Sequence, residues 1–202
     1  TFKGVGQRLT AQGSRPTSNQ LLCHRFFHGR NDAQDVLGLL ELFERNDIAV
    51  WVDGGWGVDA LLGEVTRPHG DLDIVIDERD LATTREVLVG EGFTVVIRDY
   101  RPWNFVMAHP DGREVDLHVV VFDDRGDGIY GPEFRGERYP AAALTGRGVI
   151  GGRRVRCISA EWQVRFHTGY EWDDNDRVDM EALCARFGFE MPGDPTIPRW
   201  KS

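Results

Sequence analysis

The segment Arg67-Pro68-His69-Gly70-Asp71-Leu72-Asp73-Ile74-Val75-Ile76-Asp77 constrains this chain more than any other. On a strand, residues two apart face the same way. Asp71 and Asp73 therefore share one face, and Leu72, Ile74 and Ile76 share the opposite, core-facing one. Neighbouring carboxylates repel, and an uncompensated pair beside an apolar strand is costly. A divalent cation resolves the conflict, because carboxylate oxygens suit hard ions such as Mg²⁺. Alone, the Asp-x-Asp pattern is weak and fits a solvated strand edge equally well.

It is not alone. Arg113–Phe122 repeats the arrangement, with Asp116, His118 and Val120 on one face and Val115, Leu117 and Val119 on the other. If the two strands are neighbours, Asp116 joins Asp71 and Asp73 in a three-carboxylate cluster. Such a cluster can hold one or two Mg²⁺ against the phosphates of a nucleotide. Asp116 could alternatively accept a proton from an attacking hydroxyl. His118 reads equally as a core or supporting histidine. Upstream, the Gly54-Gly55 turn enters a short helix, where backbone N–H groups and the helix dipole favour a phosphate. It is neither a Walker A sequence nor a GxGxxG. Arg67, just before the acidic strand, could offer its guanidinium to a triphosphate.

Around these motifs the pattern predicts a mixed α/β (α+β) core. Asn31 and Asp32 are N-caps for a first helix, and Ile48–Val52 reads as a short strand. A helix is expected over Glu78–Glu91, ended by Gly92, followed by strands over Phe93–Ile97 and Trp103–His109. Pro110-Asp111-Gly112 turns the chain into Arg113–Phe122. Asp123–Gly148 reads as surface loops. A hairpin follows at Gly151-Gly152, then a helix over Glu161–Tyr170 capped by Ser159, and a last helix over Asp173–Phe187. The expected organisation is a flexible lead-in over 1–30, a core over 31–122, and loops, hairpin and helices over 123–202 that complete the acceptor side.

The formal charge of −9 argues against broad nucleic-acid binding. It hides an asymmetry. Residues 1–30 carry five basic and no acidic side chains, leaving 19 basic against 33 acidic residues, a net −14, on the rest. An acidic body attracts a cationic substrate and needs a local cationic answer for an anionic one. Cys23, Cys157 and Cys184 are too few and too scattered for a disulfide framework or a zinc knuckle. No run approaches the roughly 20 apolar residues of a membrane span, and the first residues lack a secretory apolar core. A cytoplasmic location is the expectation, with no membrane partner; a homodimer is left open.

Asp53-Gly54-Gly55-Trp56-Gly57-Val58-Asp59-Ala60-Leu61, Thr66-Arg67-Pro68-His69 and Asp71-Leu72-Asp73-Ile74 together resemble the small antibiotic nucleotidyltransferases of the polymerase-β-like superfamily. Lincosamide nucleotidyltransferases and aminoglycoside 2″-nucleotidyltransferases are the groups most resembled. Val115-Asp116-Leu117-His118 matches the third-carboxylate strand, and Phe166-His167-Thr168-Gly169-Tyr170 resembles the C-terminal part. The resemblance runs from about Asp32 to about Gly188. It implies a polymerase-β-like mixed sheet with flanking helices and a small helical C-terminal part. It also implies transfer of a nucleoside monophosphate from an NTP, with ATP the expected donor, to a hydroxyl of a lincosamide, aminoglycoside or similar small molecule. On this resemblance Asp71 and Asp73 hold Mg²⁺, and Asp116 is third ligand, general base or both. Gly54, Gly55 and Arg67 contact the triphosphate. The broader superfamily often has Gly-Ser at the turn; here Gly55-Trp56 follows Gly54, so backbone donors must do more.

His167, Tyr170 and Glu171 belong to an aromatic and acidic stretch that could form an acceptor wall, with Trp103 and Tyr130 as further candidates. The same stretch, through Asp173, Asp174 and Asp176, reads more simply as a capped helix start. Two other functions fit the motifs less well. One is a metal-dependent glycosyltransferase using Asp-x-Asp for a nucleotide sugar. The other is a non-catalytic nucleotidyltransferase-like binding or antitoxin module.

Overall fold

A computed structural model describes residues 31–96, 100–132, 137–193 and 195–196. The expected lead-in over 1–30, Cys23 with it, and the end of the strand expected to reach Ile97 lie outside the described residues.

Helix α1 (Ala33–Arg45) starts where its sequence provides a cap. The Asp32 carboxylate accepts from the Gln34 and Asp35 N–H groups, and Asp35 reaches back to the Asp32 N–H. Its buried residues Val36, Leu39, Leu40 and Phe43 form one helical stripe. Strand β1 (Val50–Val52) leads into α2 (Gly54–Leu62), and Asp53 is the N-cap between them. Strand β2 (Leu72–Asp77) follows, then a single 3₁₀ turn (Glu78–Asp80) and α3 (Leu81–Gly90). The helix expected from Glu78 thus begins three residues later. Asp77 caps the tighter turn first, accepting from the Arg79 N–H at 3.0 Å.

Strands β3 (Thr94–Val95), β4 (Asn104–Ala108) and β5 (Glu114–Phe122) continue the sheet. The stretch read as loops holds two short strands, β6 (Gly128–Tyr130) and β7 (Glu137–Tyr139), and a 3₁₀ turn (Ala143–Thr145). Strands of three residues carry too little alternation to be visible in sequence. The hairpin β8 (Gly146–Ile150) and β9 (Arg153–Cys157) turns at Gly151-Gly152 as expected. Helix α4 (Ala160–Phe166) is shorter than expected. Ser159 sits at its N-cap, but its hydroxyl donates to the Ala142 carbonyl instead of capping. Helix α5 (Asp174–Phe187) has a capping box from Asp173 and Asp176 and ends at Gly188.

The strands form a mixed sheet of order β3-β4-β5-β2-β1-β9-β8, with β6 and β7 branching from β5. β2 pairs with β5 in parallel and with β1 antiparallel, while β1 pairs with β9 in parallel. The face carrying Leu72, Ile74, Ile76, Val115, Leu117 and Val119 packs under α1 and α2 in the main core. On the opposite face, Val75, Val120, Tyr139, Leu144 and Ile158 make a smaller cluster. A third cluster joins Val58 of α2 to α4 and α5 through Val164, Met180 and Leu183. Among the described residues no helix is long and apolar enough to cross a membrane. Cys157 and Cys184 are buried.

Candidate active site

The parallel pairing of β2 with β5 places Asp73 directly opposite Asp116 in register. Side chains alternate on both strands, so these two carboxylates and His118 leave the sheet on the same side. Oxygen and nitrogen atoms of Asp73, Asp116 and His118 lie within 4.8 Å of one another. His118 Nε2 stands 3.9 Å from both Asp73 Oδ1 and Asp116 Oδ2. Asp71 precedes β2, half-buried, and its charge acts on both Asp73 and Asp116. The neighbouring-strand condition for a three-carboxylate cluster is met. The closest donor group substitutes His118 for Asp71.

The electrostatics of the cluster follow from crowding. Burial, then the Asp71 charge, push the Asp73 pKa up to about 8. Burial also raises Asp116, with Asp71 adding to it; His118 and an Asn104 Nδ2–H bond to Oδ1 at 2.8 Å oppose the rise. For His118, burial alone would lower the pKa. The hydrogen bond and charge of Asp53, then Asp73 and Asp116, outweigh it and push the imidazole up to about 9. A concentration of carboxylate oxygens that cannot all ionise comfortably without a cation suits a hard divalent ion. The donor set is one that could hold a divalent ion such as Mg²⁺, and Asp73 and Asp116 are the carboxylates in it that would face the ion.

A buried network holds this group from below. Asp53 ends β1, and its N–H bonds to the Asp73 carbonyl at 2.9 Å. Its Oδ1 accepts from the Gly54 N–H at 2.9 Å and from Gln163 Nε2 at 3.1 Å. Its Oδ2 accepts from the Tyr139 hydroxyl at 2.9 Å, and His118 Nδ1 lies 3.0 Å from the same hydroxyl. The hydroxyl proton belongs to Asp53, so His118 Nδ1–H donates to the Tyr139 oxygen. Burial would raise the Asp53 pKa. Its bonds and charge contact with His118, then Gly54 and Tyr139, hold it below the usual carboxylate range instead.

Gly54 opens α2 at a φ of +53°, and a Cβ there would collide with the Asp73 carboxylate. A Cβ on Gly55 would strike Arg67 and His69. The Gly-Gly turn is thus pressed against the acidic strand, with room only for backbone. Arg67, expected at a triphosphate, takes a different partner. Its Nε donates to Asp179 Oδ1 at 3.0 Å and its Nη2 to Oδ2 at 2.6 Å, a two-point clasp on α5.

Beside the cluster opens a cleft of about 430 Å³ lined by Asp53, Gly54, His118 and a run of aromatic rings: Tyr130, Tyr139, Phe166, His167 and Tyr170. Of the acceptor candidates, His167, Tyr170 and Tyr130 line it. His167 is fixed by its Nδ1–H bond to the Gln163 carbonyl at 2.7 Å. Tyr170 donates to Asp176 at 3.2 Å. Trp103 does not line this cleft; it packs, half-buried, against the main core. Glu171 is exposed just before α5 and is not among the cleft residues either. Sequence reasoning gave no role to Asp53, Tyr139 or Gln163. An acid before Gly-Gly at a strand end was a readable N-cap signal. Tyr139 and Gln163 carried none, since they meet Asp53 from 86 and 110 residues away.

Comparison with known proteins gives a consistent picture. A lincosamide resistance protein of Staphylococcus haemolyticus is 28% identical over 150 residues, covering 74% of this chain and 92% of the relative. A 2″-aminoglycoside nucleotidyltransferase of Escherichia coli is 32% identical over 162 residues, covering 75% and 85%. The lincosamide antibiotic adenylyltransferase LnuA, solved with lincomycin bound, superposes with a TM-score of 0.70 at 27% identity, covering 77% of this chain and 98% of LnuA. ANT(2″)-Ia, solved with adenylyl-2″-tobramycin, shares the fold with a TM-score of 0.61 at 22% identity, covering 85% and 91%. The chain is accordingly an enzyme, a transferase of phosphorus-containing groups, which sets aside the glycosyltransferase and non-catalytic readings. With the family model for aminoglycoside-2″-adenylyltransferase matched from residue 35 to 183, the chain belongs to that family of antibiotic nucleotidyltransferases.

Proposed function

We propose that this enzyme moves a nucleoside monophosphate from an Mg²⁺-bound NTP, ATP foremost, to a hydroxyl of a lincosamide or aminoglycoside antibiotic. The observation that carries the reading is the side-by-side placement of Asp73 and Asp116, with Gly54 packed on Asp73 and with an aromatic cleft, lined by Gly54 and His118, beside them. Asp73 and Asp116, supported by Asp71, would hold the cation. When bound, that cation supplies charge neutralisation to the phosphates, the main requirement of phosphoryl transfer.

The remaining work falls to the chain. The Gly54 N–H is taken by Asp53, so the N–H groups of Gly55 and Trp56 in the first turn of α2 are the ones left to face the triphosphate. The acceptor lies against Tyr130, Phe166 and Tyr170, which keep water from its apolar face. Its hydroxyl oxygen attacks the α-phosphorus in line, and the bond to pyrophosphate breaks. The hydroxyl proton passes to Asp116 Oδ2, because Asn104 already donates to Oδ1.

Among the described cleft residues, Glu137 is the carboxylate free of the Asp53 network. A cleft rich in aromatic rings, with Glu137 and Arg138 both on its lining, favours an acceptor with an apolar face and few amines. A lincosamide fits that description better than a polycationic aminoglycoside. The test is mass spectrometry of a panel of both classes after incubation with Mg²⁺ and each NTP. A mass gain of one nucleoside monophosphate on a lincosamide supports the reading. Modification of aminoglycosides alone would overturn the acceptor preference, and no modification of any member would overturn the proposed reaction.

A further inference from the structure

The segment joining α2 to β2 is anchored at points the chemistry above does not use. His69 Nε2 lies 2.5 Å from Asp59 Oδ2, with His69 and Asp59 only 3% and 2% exposed. Asp59 Oδ1 accepts from both the Thr66 hydroxyl at 2.6 Å and the Thr66 N–H at 3.1 Å. One buried carboxylate on α2 thus gathers three donors from the segment leading to Asp71 and Asp73. The imidazole packs on Trp56 with ring centroids 4.6 Å apart, and its Nδ1 edge lies where a Gly55 side chain would be. Arg67 anchors the same segment to α5 through Asp179.

A buried carboxylate bonded through both oxygens and a buried histidine bonded to it through Nε2 form an expensive arrangement if a plain turn is all that is needed. The arrangement touches the Gly54-Gly55 turn on one side and leads directly into the acidic strand on the other. We propose that His69, held by Asp59, is a positioning residue that fixes the distance between the phosphate-facing turn and the cation-holding strand. The inference rests on the nucleotidyltransferase reading and deepens it. It assigns His69 to donor-nucleotide binding, without contact to substrate and with no part in acceptor recognition. Residues acting at this remove from a metal-nucleotide site commonly change affinity or activity about 10- to 100-fold.

Two variants separate the hydrogen bond from the ring. His69→Phe keeps the stacked ring and removes the donor to Asp59; His69→Gln restores a donor near the Nε2 position without the ring. Steady-state kinetics are measured for NTP and acceptor separately, alongside thermal unfolding. The expected result for His69→Phe is an NTP KM raised about tenfold or more, with acceptor KM changed less than about twofold, and recovery of most of that loss in His69→Gln. An unchanged NTP KM in a folded His69→Phe overturns the inference, as does an equal rise in both KM values. If His69→Phe does not fold, His69→Gln and Thr66→Val decide. A selective rise in NTP KM in Thr66→Val, with His69→Gln close to wild type, supports the inference, and an unchanged NTP KM in a folded Thr66→Val overturns it. A wild-type protein that turns over no NTP overturns the nucleotidyltransferase reading itself, and this inference with it.

Discussion

Asp73 and Asp116 suit the chemistry better than they suit the fold. Burial and the neighbouring Asp71 charge raise the pKa of both, so the pair opposes folding of the cation-free chain. Asp73→Asn should therefore leave the cation-free protein at least as stable as wild type while reducing transfer by at least about a hundredfold. Thermal unfolding and pyrophosphate release measure the two effects. A large loss of stability would mean that the carboxylate is part of the scaffold instead. The pair was legible in the sequence because alternation on a strand is the simplest periodic rule available. Tyr139 was not, because its meaning comes from a contact with Asp53 across 86 residues. Tyr139→Phe would leave Asp53 short of one donor and leave His118 Nδ1 with Asp53 Oδ2, 3.4 Å away, as its remaining partner. A fall in kcat of about tenfold is expected, with a smaller change in stability. An unchanged kcat would show that His118 needs no fixing.

Local rules fixed most boundaries among the elements and failed where two of them competed. Asp32 and Asp173 were readable as caps, and both form full capping boxes. After β2, however, Asp77 captures the Arg79 N–H and side chain, so a tight turn precedes α3. Burial alone would raise the Asp77 pKa, and the Arg79 bonds outweigh it and hold it below the usual carboxylate range. Such a group stabilises the fold above its unfolded pKa of about 4, and the contribution is lost as pH falls through the lower folded value. Asp77→Ala should cost about 1 kcal/mol at pH 7, with the difference from wild type shrinking as pH drops below about 4. Denaturant titrations at several pH values check this. Helix α2 has a different limit. Gly54→Ala adds a Cβ at a φ of +53° against Asp73, so a loss of about 1–2 kcal/mol together with loss of transfer is expected.

On the scale of the molecule, the sheet carries the cluster, α4 and α5 pack on α2, and α4 reaches the cluster's support through Gln163. Strands β8 and β9 enter the same sheet beside β1, and Gln163 of α4 reaches Asp53. Such long-range pairings leave no periodic trace, which is why the resemblance carried more than the pattern over this part. Arg67 and Asp179 join the segment before β2 to α5. Breaking that largely buried pair with Asp179→Ala should cost about 3–5 kcal/mol, whereas replacing both partners with apolar residues should cost much less. Denaturation of the single and double variants decides between them.

The charge asymmetry also has a location at this scale, since the acidic body contains the three carboxylates whose repulsion the proposed cation would relieve. Pyrophosphate release as a function of Mg²⁺, with NTP and a lincosamide present, tests that claim most directly in wild type, Asp73→Asn and Asp116→Asn. Release in wild type that requires Mg²⁺ and is lost in both folded variants is the expected result. Mg²⁺-independent release, or undiminished release in either variant, would contradict the assignment of Asp73 and Asp116 as the cation-holding pair.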